Sequence, residues 1–226
     1  MPIWNQKMVI DKTRKSQSAM ATRNRLLQAT CHIIQAQGVE RLTLDAVAKE
    51  AQVSKGGLLY HFSSKESLVV EVIQYLMDDF DAAINRELAQ DNALDLPGRW
   101  LRAYVKATFN YKTLPMSLIS SLLSAVTSNP EELLKPVQSR FDCWQQKIEV
   151  NGLDPLRANL VRLAADGLGT NEMFGLSVVD DAIRQQLLEM LLEIIQEAEL
   201  SDHRITYSLS FSKSSKTAKW HFYCCC

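Results

Sequence analysis

A chain of 226 residues with 46% hydrophobic content is long enough to bury one large core or two modest ones. It has no run of eighteen apolar residues and no apolar signal core in its first twenty residues, so we expect a cytoplasmic protein without a membrane partner. Its five cysteines lack the CxxC spacing of zinc sites, so we expect no metal.

The net charge of −1 hides an uneven distribution of charged residues. Residues 1–65 hold ten Lys/Arg and four Asp/Glu, a balance of +6, whereas residues 66–226 hold fifteen and twenty-two, a balance of −7. A basic end on an acidic body is typical of a module that binds a polyanion on a scaffold that does not. From charge alone, a solvated basic tail is the alternative.

The N-terminal third of the chain predicts three helices after an irregular start. Residues 1–20 lack a steady period and carry four cations, which indicates a flexible basic arm. Apolar residues at helical spacing predict a helix from about Thr22 to Gln37, ended by Gly38. Two short helices follow, and we expect Thr43 and Ser54 to cap them.

The rest of the chain predicts further helices and no convincing strand. Ser63 and Glu66 form a capping box that opens a long helix to about Leu88. We expect Pro136 to kink its helix or delay its start. Further helix starts are marked at Pro97, Pro115, Asn129-Pro130, Asp154-Pro155 and Ser177 with Asp180. We therefore predict an all-α chain of about nine helices, ending near Leu200, with a disordered tail at 201–226.

Residues 43–62, TLDAVAKEAQVSKGGLLYHF, carry the most specific motif of the chain. Two short helices that cross closely need a small residue at their contact, and Ala48 supplies it. Gly56 and Gly57 fall in the first turn of the second helix, where each costs about 1 kcal/mol of helix propensity. A close approach of that backbone to the major groove of DNA is a physical reason for the cost.

This segment resembles the DNA-binding region of the tetracycline-repressor (TetR) family, from the helix at 22–37 to Ser63-Ser64-Lys65-Glu66. The resemblance implies that Lys55, Gly56 and Gly57 lie in the major groove. It implies that five residues contact or approach backbone phosphates: Thr43, Ser54, Tyr60, His61 and Lys65. For Tyr60 and His61 the alternative is a pair of half-buried side chains with solvated tips.

The resemblance also implies a domain organisation. We expect a helix-turn-helix domain at 21–66 after the arm at 1–20, and a ligand-binding and dimerisation domain at 67–200. Two residues depart from the family pattern. Gln52 stands where the family often has Gly, at a left-handed site that costs a residue with a β-carbon about 1–2 kcal/mol. Leu59 stands where many members have a phosphate-contacting tyrosine, so one contact is missing.

Aromatic and methionine residues at helical spacing in 97–176 permit two interpretations. They are either plain core or the lining of a lipophilic ligand pocket between helices. In the second case the candidate ligand-binding residues are Tyr104, Thr108, Phe141, Trp144 and Asn171.

The predicted last helix carries an apolar stripe wider than one neighbouring helix usually needs. Its candidate dimer-interface residues are Ile183, Leu187, Met190, Leu191 and Ile194. In the family, the last two helices pack against their copies as a four-helix bundle. The alternative is an internal core helix.

We therefore expect a homodimeric repressor that binds an inverted-repeat DNA operator and is released by a small apolar or amphipathic effector. The alternatives are an activator, a regulator without a ligand, or a dimeric helical interaction protein without an operator. A helical enzyme is disfavoured because GxSxG, HExxH, GxGxxG and Walker motifs are missing from the sequence. We expect neither catalytic residues nor a cofactor.

Overall fold

The fold is taken from a computed structural model that describes residues 3–93, 96–111, 114–150, 152–176 and 179–208. These residues form nine α-helices and one short 3₁₀ helix, Val39–Arg41, which confirms the all-α prediction. The α-helices are α1 (Ile3–Gln37), α2 (Leu44–Glu50), α3 (Lys55–His61), α4 (Lys65–Gln90), α5 (Arg99–Asn110), α6 (Met116–Ser128), α7 (Pro130–Glu149), α8 (Pro155–Met173) and α9 (Asp181–Ser208). The described helices include none with the length and hydropathy that a bilayer crossing requires.

Helix α1 begins earlier than predicted. It starts at Ile3, so residues 3–20 are helical where we expected an irregular arm. That segment is rich in Gln, Lys, Arg and Met, whose helix propensity extends the helix without an apolar face. The predicted end at Gln37 is confirmed, and Gly38 takes a φ of +84° while its N–H donates to the Ile34 carbonyl at 2.9 Å.

Helix α9 ends later than predicted. It continues to Ser208, so residues 201–208 are helical where we expected a disordered tail. The remainder of the predicted tail, residues 209–226, lies outside the described residues.

An apolar core joins α1, α2 and α3 to the first turns of α4. Its fully buried side chains are Leu26, Leu27, Ile34, Leu42, Val47, Leu58, Leu68 and Val72. Leu118 of α6 and Leu133 of α7 belong to the same core. The expected domain boundary after residue 66 therefore falls inside α4 and inside a continuous apolar cluster. We call α1–α3 the head and α5–α9 the body, with α4 shared by both.

The body is organised around α5. On one side of α5, Leu101 and Val105 pack with residues of α8 and α9 such as Val161 and Ile195. On another side, Ala103, Tyr104 and Ala107 face an aromatic cluster that also receives residues of α4 and α7. Helix α5 is thus the central helix of the body, and α4 and α6 both connect the body to the head.

Most predicted caps are confirmed, with one correction at α4. The predicted box of Ser63 and Glu66 is wrong by one residue. The Ser64 hydroxyl accepts from the Ser67 N–H, and the Ser67 hydroxyl accepts from the Ser64 N–H, each at 3.1 Å. Adjacent serines offer the same chemistry, so the local pattern did not separate them. Glu66 lies in the first turn, where its own backbone N–H and the Ser64 hydroxyl lower the pKa of its carboxyl.

Two expectations based on proline also need adjustment. Helix α5 begins at Arg99, two residues after Pro97, because Gly98 intervenes with a φ of +73°. A β-carbon on Gly98 would come within 2.7 Å of the Ile195 side chain, so this turn requires glycine. Pro136 lies inside α7, which starts at Pro130, so it does not delay the start of that helix.

Candidate DNA-binding interface

The short helices α2 and α3 are each fixed at their N-termini by a side-chain cap. The Thr43 hydroxyl accepts from the Ala46 N–H at 3.2 Å, and the Ser54 hydroxyl accepts from the Gly57 N–H at 3.1 Å. Ala48 is buried as predicted. Both caps therefore act inside the protein first, and any phosphate contact by these hydroxyls is additional to that role.

The turn between α2 and α3 contains the predicted left-handed residue. Gln52 takes a φ of +53° and is the non-glycine residue with positive φ in the described part of the chain. The turn is held on both sides of it, because the Gln52 N–H donates to Lys49 O at 3.1 Å and the Val53 N–H donates to Ala48 O at 2.9 Å. This turn sets the angle between the two helices.

The outer face of α3 is exposed while its inner face is buried. Leu58 is fully buried, and Lys55, Gly56, Leu59 and Tyr60 lie outside. Tyr60 is 81% exposed, so the half-buried alternative does not describe it. His61 is half-buried, and its ring meets Tyr60 edge to face at 5.1 Å. Helix α3 thus presents a polar, protruding surface on an apolar base.

The two glycines of α3 have different reasons for being glycine. A β-carbon on Gly56 would meet nothing within 4 Å, so no contact among the described residues requires glycine there. A β-carbon on Gly57 would come within 2.9 Å of the Val53 side chain and 3.2 Å of the Ser54 hydroxyl. Packing against the turn therefore explains Gly57, whereas no contact of this kind explains Gly56.

Both predicted lysines have partners within the chain. The Lys55 ammonium lies 2.9 Å from a carboxylate oxygen of Asp45 in the first turn of α2. The Lys65 ammonium donates to the Glu40 carbonyl at 3.3 Å. Asp45 was not singled out from the sequence, because ten residues separate it from Lys55 and only the turn brings them together. Both ammonium groups lie at the surface that α2, α3 and the start of α4 share.

In the body, the predicted ligand-binding residues are mostly engaged with one another. Trp144 packs against Tyr104 at 5.7 Å and against Phe141 at 5.1 Å between ring centroids. Tyr104 and Trp144 are buried, and Thr108 donates to the Tyr104 carbonyl at 2.9 Å and faces Gly169 of α8. Of the two interpretations of the aromatic set, plain core describes Tyr104 and Trp144.

The polar atoms of this cluster are tied to acidic residues of neighbouring helices. The Tyr104 hydroxyl donates to Asp166 of α8 at 2.5 Å, and the Trp144 indole N–H donates to Asp81 of α4 at 2.8 Å. Burial and the nearby Asp166 carboxylate raise the pKa of Tyr104, so the phenol remains a donor. Arg140 also pairs with Asp81. These contacts link α4, α5, α7 and α8 through the middle of the body.

A cleft of about 480 Å³ lies beside this cluster, between α4, α5 and the start of α6. Ala83 and Ala107 form an apolar part of its wall, and its polar part includes Asp79, Glu87 and Tyr111. The Tyr111 hydroxyl donates to Asp79 at 2.8 Å. The cleft lining includes none of the five predicted ligand-binding residues. Its members lie at helical spacing in two segments, 79–87 and 107–115, and only the packing of α4 against α5 brings the two segments together.

Exposed apolar side chains lie on α8 and α9. Leu160 and Leu163 of α8 are 58% and 61% exposed, and Ile183 and Met190 of α9 are also exposed. The prediction for Leu191 needs correction: it is only 6% exposed and belongs to the core beneath α9. Leu187 and Ile194 are partly buried against that core. The leucines of α8 were missed, although their spacing at 156, 160 and 163 is helical.

An all-α chain with two capped short helices joined by a tight turn contains a helix-turn-helix, a motif with which transcriptional regulators bind DNA. The sequence profile described as bacterial regulatory proteins of the tetR family matches residues 26–72. The profile described as the tetracyclin repressor-like C-terminal domain matches residues 98–196. The two profiles cover the head and the body and together account for more than half of the chain. The chain belongs to the TetR family.

Individual relatives agree with this assignment. The chain is 34% identical over 88 residues to the HTH-type transcriptional regulator BetI of Burkholderia mallei (strain NCTC 10229), and the match covers 39% of this chain and 44% of that protein. The chain therefore spans under half the length of that curated relative.

Solved structures are similar in fold. A transcriptional regulator of Streptomyces coelicolor A3(2), SCO7518, has a TM-score of 0.57 at 20% identity, covering 77% of this chain and 98% of its own. The multidrug binding protein EbrR, solved in complex with malachite green, has a TM-score of 0.51 at 20% identity, covering 76% of this chain and 96% of its own. At such identities the likeness concerns the fold.

Proposed function

We propose that the chain acts as a homodimeric repressor that leaves an inverted-repeat operator when a small amphipathic molecule enters the cleft. The observation that carries this proposal is the exposed apolar surface of α8 and α9 at the far end of a chain whose α3 is exposed and polar. One end of the molecule suits a polyanion, and the other suits a second protein surface.

The DNA contacts we propose are those expected from the family resemblance. Lys55, Gly56 and Gly57 lie near base edges, with Gly56 permitting the closest approach because no described atom lies within 4 Å of where its β-carbon would be. The phosphate contacts are made by Thr43, Ser54, Tyr60, His61 and Lys65. The exposure of Tyr60 supports this assignment, and the half-buried position of His61 makes it a weaker contact than Tyr60.

The dimer we propose forms through the exposed leucines of α8 together with Ile183 and Met190 of α9. Contiguous apolar surface of this kind is rare on monomeric proteins and marks interaction sites. An interface between identical surfaces has two-fold symmetry. Two copies of α3 then meet two half-sites, which in helix-turn-helix dimers lie about 34–36 Å apart.

The effector we propose binds in the cleft between α4 and α5. Its wall combines alanines with carboxylates and a phenol, which suits an amphipathic molecule better than a purely apolar one. EbrR, which shares this fold, binds malachite green, and that supports a ligand in the body. An effector releases DNA only if it binds the DNA-free arrangement more tightly than the DNA-bound one.

A selection experiment tests this proposal. Rounds of binding to a random duplex library should enrich an inverted repeat, and native mass spectrometry should show two chains on one duplex. A chain without operator function would enrich no sequence, and a monomer would bind one half-site.

The enriched duplex then tests the mode of regulation. Placed over a promoter, it should reduce transcription in a purified system when the protein is added, whereas an activator would increase transcription. Amphipathic compounds should then be screened for release of the labelled duplex by fluorescence anisotropy. A regulator without an effector would hold the duplex against all of them.

A further inference from the structure

The ion pair between Lys55 and Asp45 connects the two helices of the DNA-binding motif. The ammonium of Lys55 lies 2.9 Å from one carboxylate oxygen of Asp45 and 3.2 Å from the other. The two side chains are 61% and 71% exposed. Pairs this exposed contribute little to folding stability, since water and salt screen them. The pair therefore has little structural value in the free protein.

Asp45 lies in the first turn of α2, where a carboxylate interacts favourably with the helix N-terminus. A carboxylate next to Lys55 repels the phosphates that this surface approaches. Glu50, at the other end of α2, pairs instead with His32 of α1 at 2.8 Å. The acid beside Lys55 lowers the affinity of the motif for any duplex, so the gain that it brings to DNA binding is of another kind.

Selectivity supplies that gain. Specificity is a difference between two affinities, and a repulsive element that weakens the wrong complex increases it. A lysine ammonium has three donors, so Lys55 can stay on Asp45 and still donate to acceptors on a base edge. A lysine held in this way points at the groove instead of reaching for the nearest phosphate.

We propose that Asp45 is a specificity-determining residue that positions Lys55 toward base edges and keeps it from neutralising phosphates on DNA of any sequence. The inference rests on the proposed placement of Lys55 at the DNA. It concerns the selectivity of the complex and not the existence of the complex.

Replacing Asp45 tests the inference. Asp45→Asn should raise the affinity for a fixed random-sequence duplex about fivefold and leave the affinity for the selected duplex within about 1.5-fold, so the ratio of selected-duplex affinity to random-duplex affinity falls at least about threefold. Because Lys55 is then free to contact a phosphate, the plot of log affinity against log salt for the random duplex should steepen by about one per subunit. Asp45→Glu, which keeps the charge, should restore the ratio.

Two further variants separate this role from a general charge effect. Glu50→Gln makes the same charge change on the same helix and should leave the ratio within about twofold of that of the unaltered protein. In a Lys55→Met background, Asp45→Asn should no longer change the ratio or the salt slope. If Asp45→Asn raises both affinities equally, or if its effect on the ratio persists without Lys55, the inference is wrong.

The same measurements distinguish this inference from the proposed function. If Lys55→Met alone leaves binding to the selected duplex unchanged, then the placement of Lys55 at the DNA is wrong. If Lys55→Met weakens binding but Asp45→Asn leaves the ratio intact, then only the role of Asp45 is wrong. Thermal melting checks that each variant is folded, and Asp45→Ser, with a residue common near helix starts, replaces Asp45→Asn if that variant melts early.

Discussion

The exposed face of α3 and the exposed face of α8 are built in opposite ways. Helix α3 presents Lys55, Gly56 and Tyr60 above a single buried leucine, and its lysine is held by a partner on α2. Helix α8 presents leucines at successive turns, with Ala165 buried on its other side. The surface of α3 that we propose for DNA is thus polar, and local contacts fix the orientation of its side chains. The surface of α8 that we propose for a second subunit is apolar. The two faces should respond differently to salt and to substitution.

A change in salt concentration should produce the largest difference between DNA binding by α3 and dimerisation through α8 and α9. The five phosphate contacts proposed for each subunit give about ten per dimer, so affinity for the selected duplex should fall by up to about 100,000-fold between 50 and 200 mM salt. Dimerisation through α8 and α9 should change little over the same range, since apolar contacts are not ionic. Fluorescence anisotropy measures the first quantity and sedimentation equilibrium the second. A parallel decline of both would contradict the assignment of α8 and α9 to an apolar interface.

Substitution on α8 should affect DNA binding at a distance. Leu160→Glu places a charge in the proposed interface and should dissociate the dimer and weaken binding to the selected duplex by about a hundredfold, or about 2.7 kcal/mol. Leu123→Glu, at an exposed leucine of α6, is the matched control and should leave both unchanged. A dimeric Leu160→Glu variant with full affinity would place the interface elsewhere.

Replacing Asp91, which lies away from both faces, should lower the folding stability without changing DNA binding or dimerisation. Burial would raise the pKa of Asp91, but the Ala93 N–H and the Arg102 guanidinium hold it below its ordinary value. Asp91→Asn should lower the free energy of unfolding by about 2 kcal/mol at neutral pH. The contribution is present above about pH 4, the ordinary pKa of aspartate, and is lost as pH falls through the lower folded-state pKa. Urea unfolding at neutral and acid pH should therefore show a gap between the two proteins that closes in acid.

Substitutions of the two adjacent glycines of α3 should differ in their effects on folding stability and DNA binding. Gly56→Ala should stabilise the protein by up to about 1 kcal/mol, because alanine favours helix and finds free space. It should weaken DNA binding about tenfold, because the methyl group obstructs the groove. Gly57→Ala should lack the stability gain, because its β-carbon displaces Val53. Melting temperature and anisotropy measure these effects, and unchanged DNA affinity in Gly56→Ala would remove Gly56 from the interface.

Local patterns were sufficient to predict the helix pair at residues 43–62, although not the start of α1. The caps at Thr43 and Ser54, the contact at Ala48 and the left-handed Gln52 each depend on a few neighbouring residues, so the sequence contains the information. Where adjacent residues have the same side chain, the predicted cap was wrong by one residue, as it was for Ser63 and Ser64 at the start of α4.

The body was predictable only in part, because its sites depend on distant contacts. The apolar stripe of α9 was evident, but which of its residues face inward depends on α5 and α8, and Leu191 faces the core. The cleft combines one face of α4 with the end of α5, and although each segment has helical spacing, the pairing of the two faces depends on tertiary packing. The Asp45–Lys55 pair exists because the turn at Gln52 folds α2 and α3 together.

The apolar core shared by α1, α4, α6 and α7 has a consequence for the folding of the head. A fragment that stopped at residue 66 would leave Leu26, Leu27 and Ile34 without Leu68, Val72 and Leu118, so it would expose the inner side of its own longest helix. The head is therefore not an independent folding unit. Heating should unfold the head together with α4, α6 and α7 in one cooperative transition.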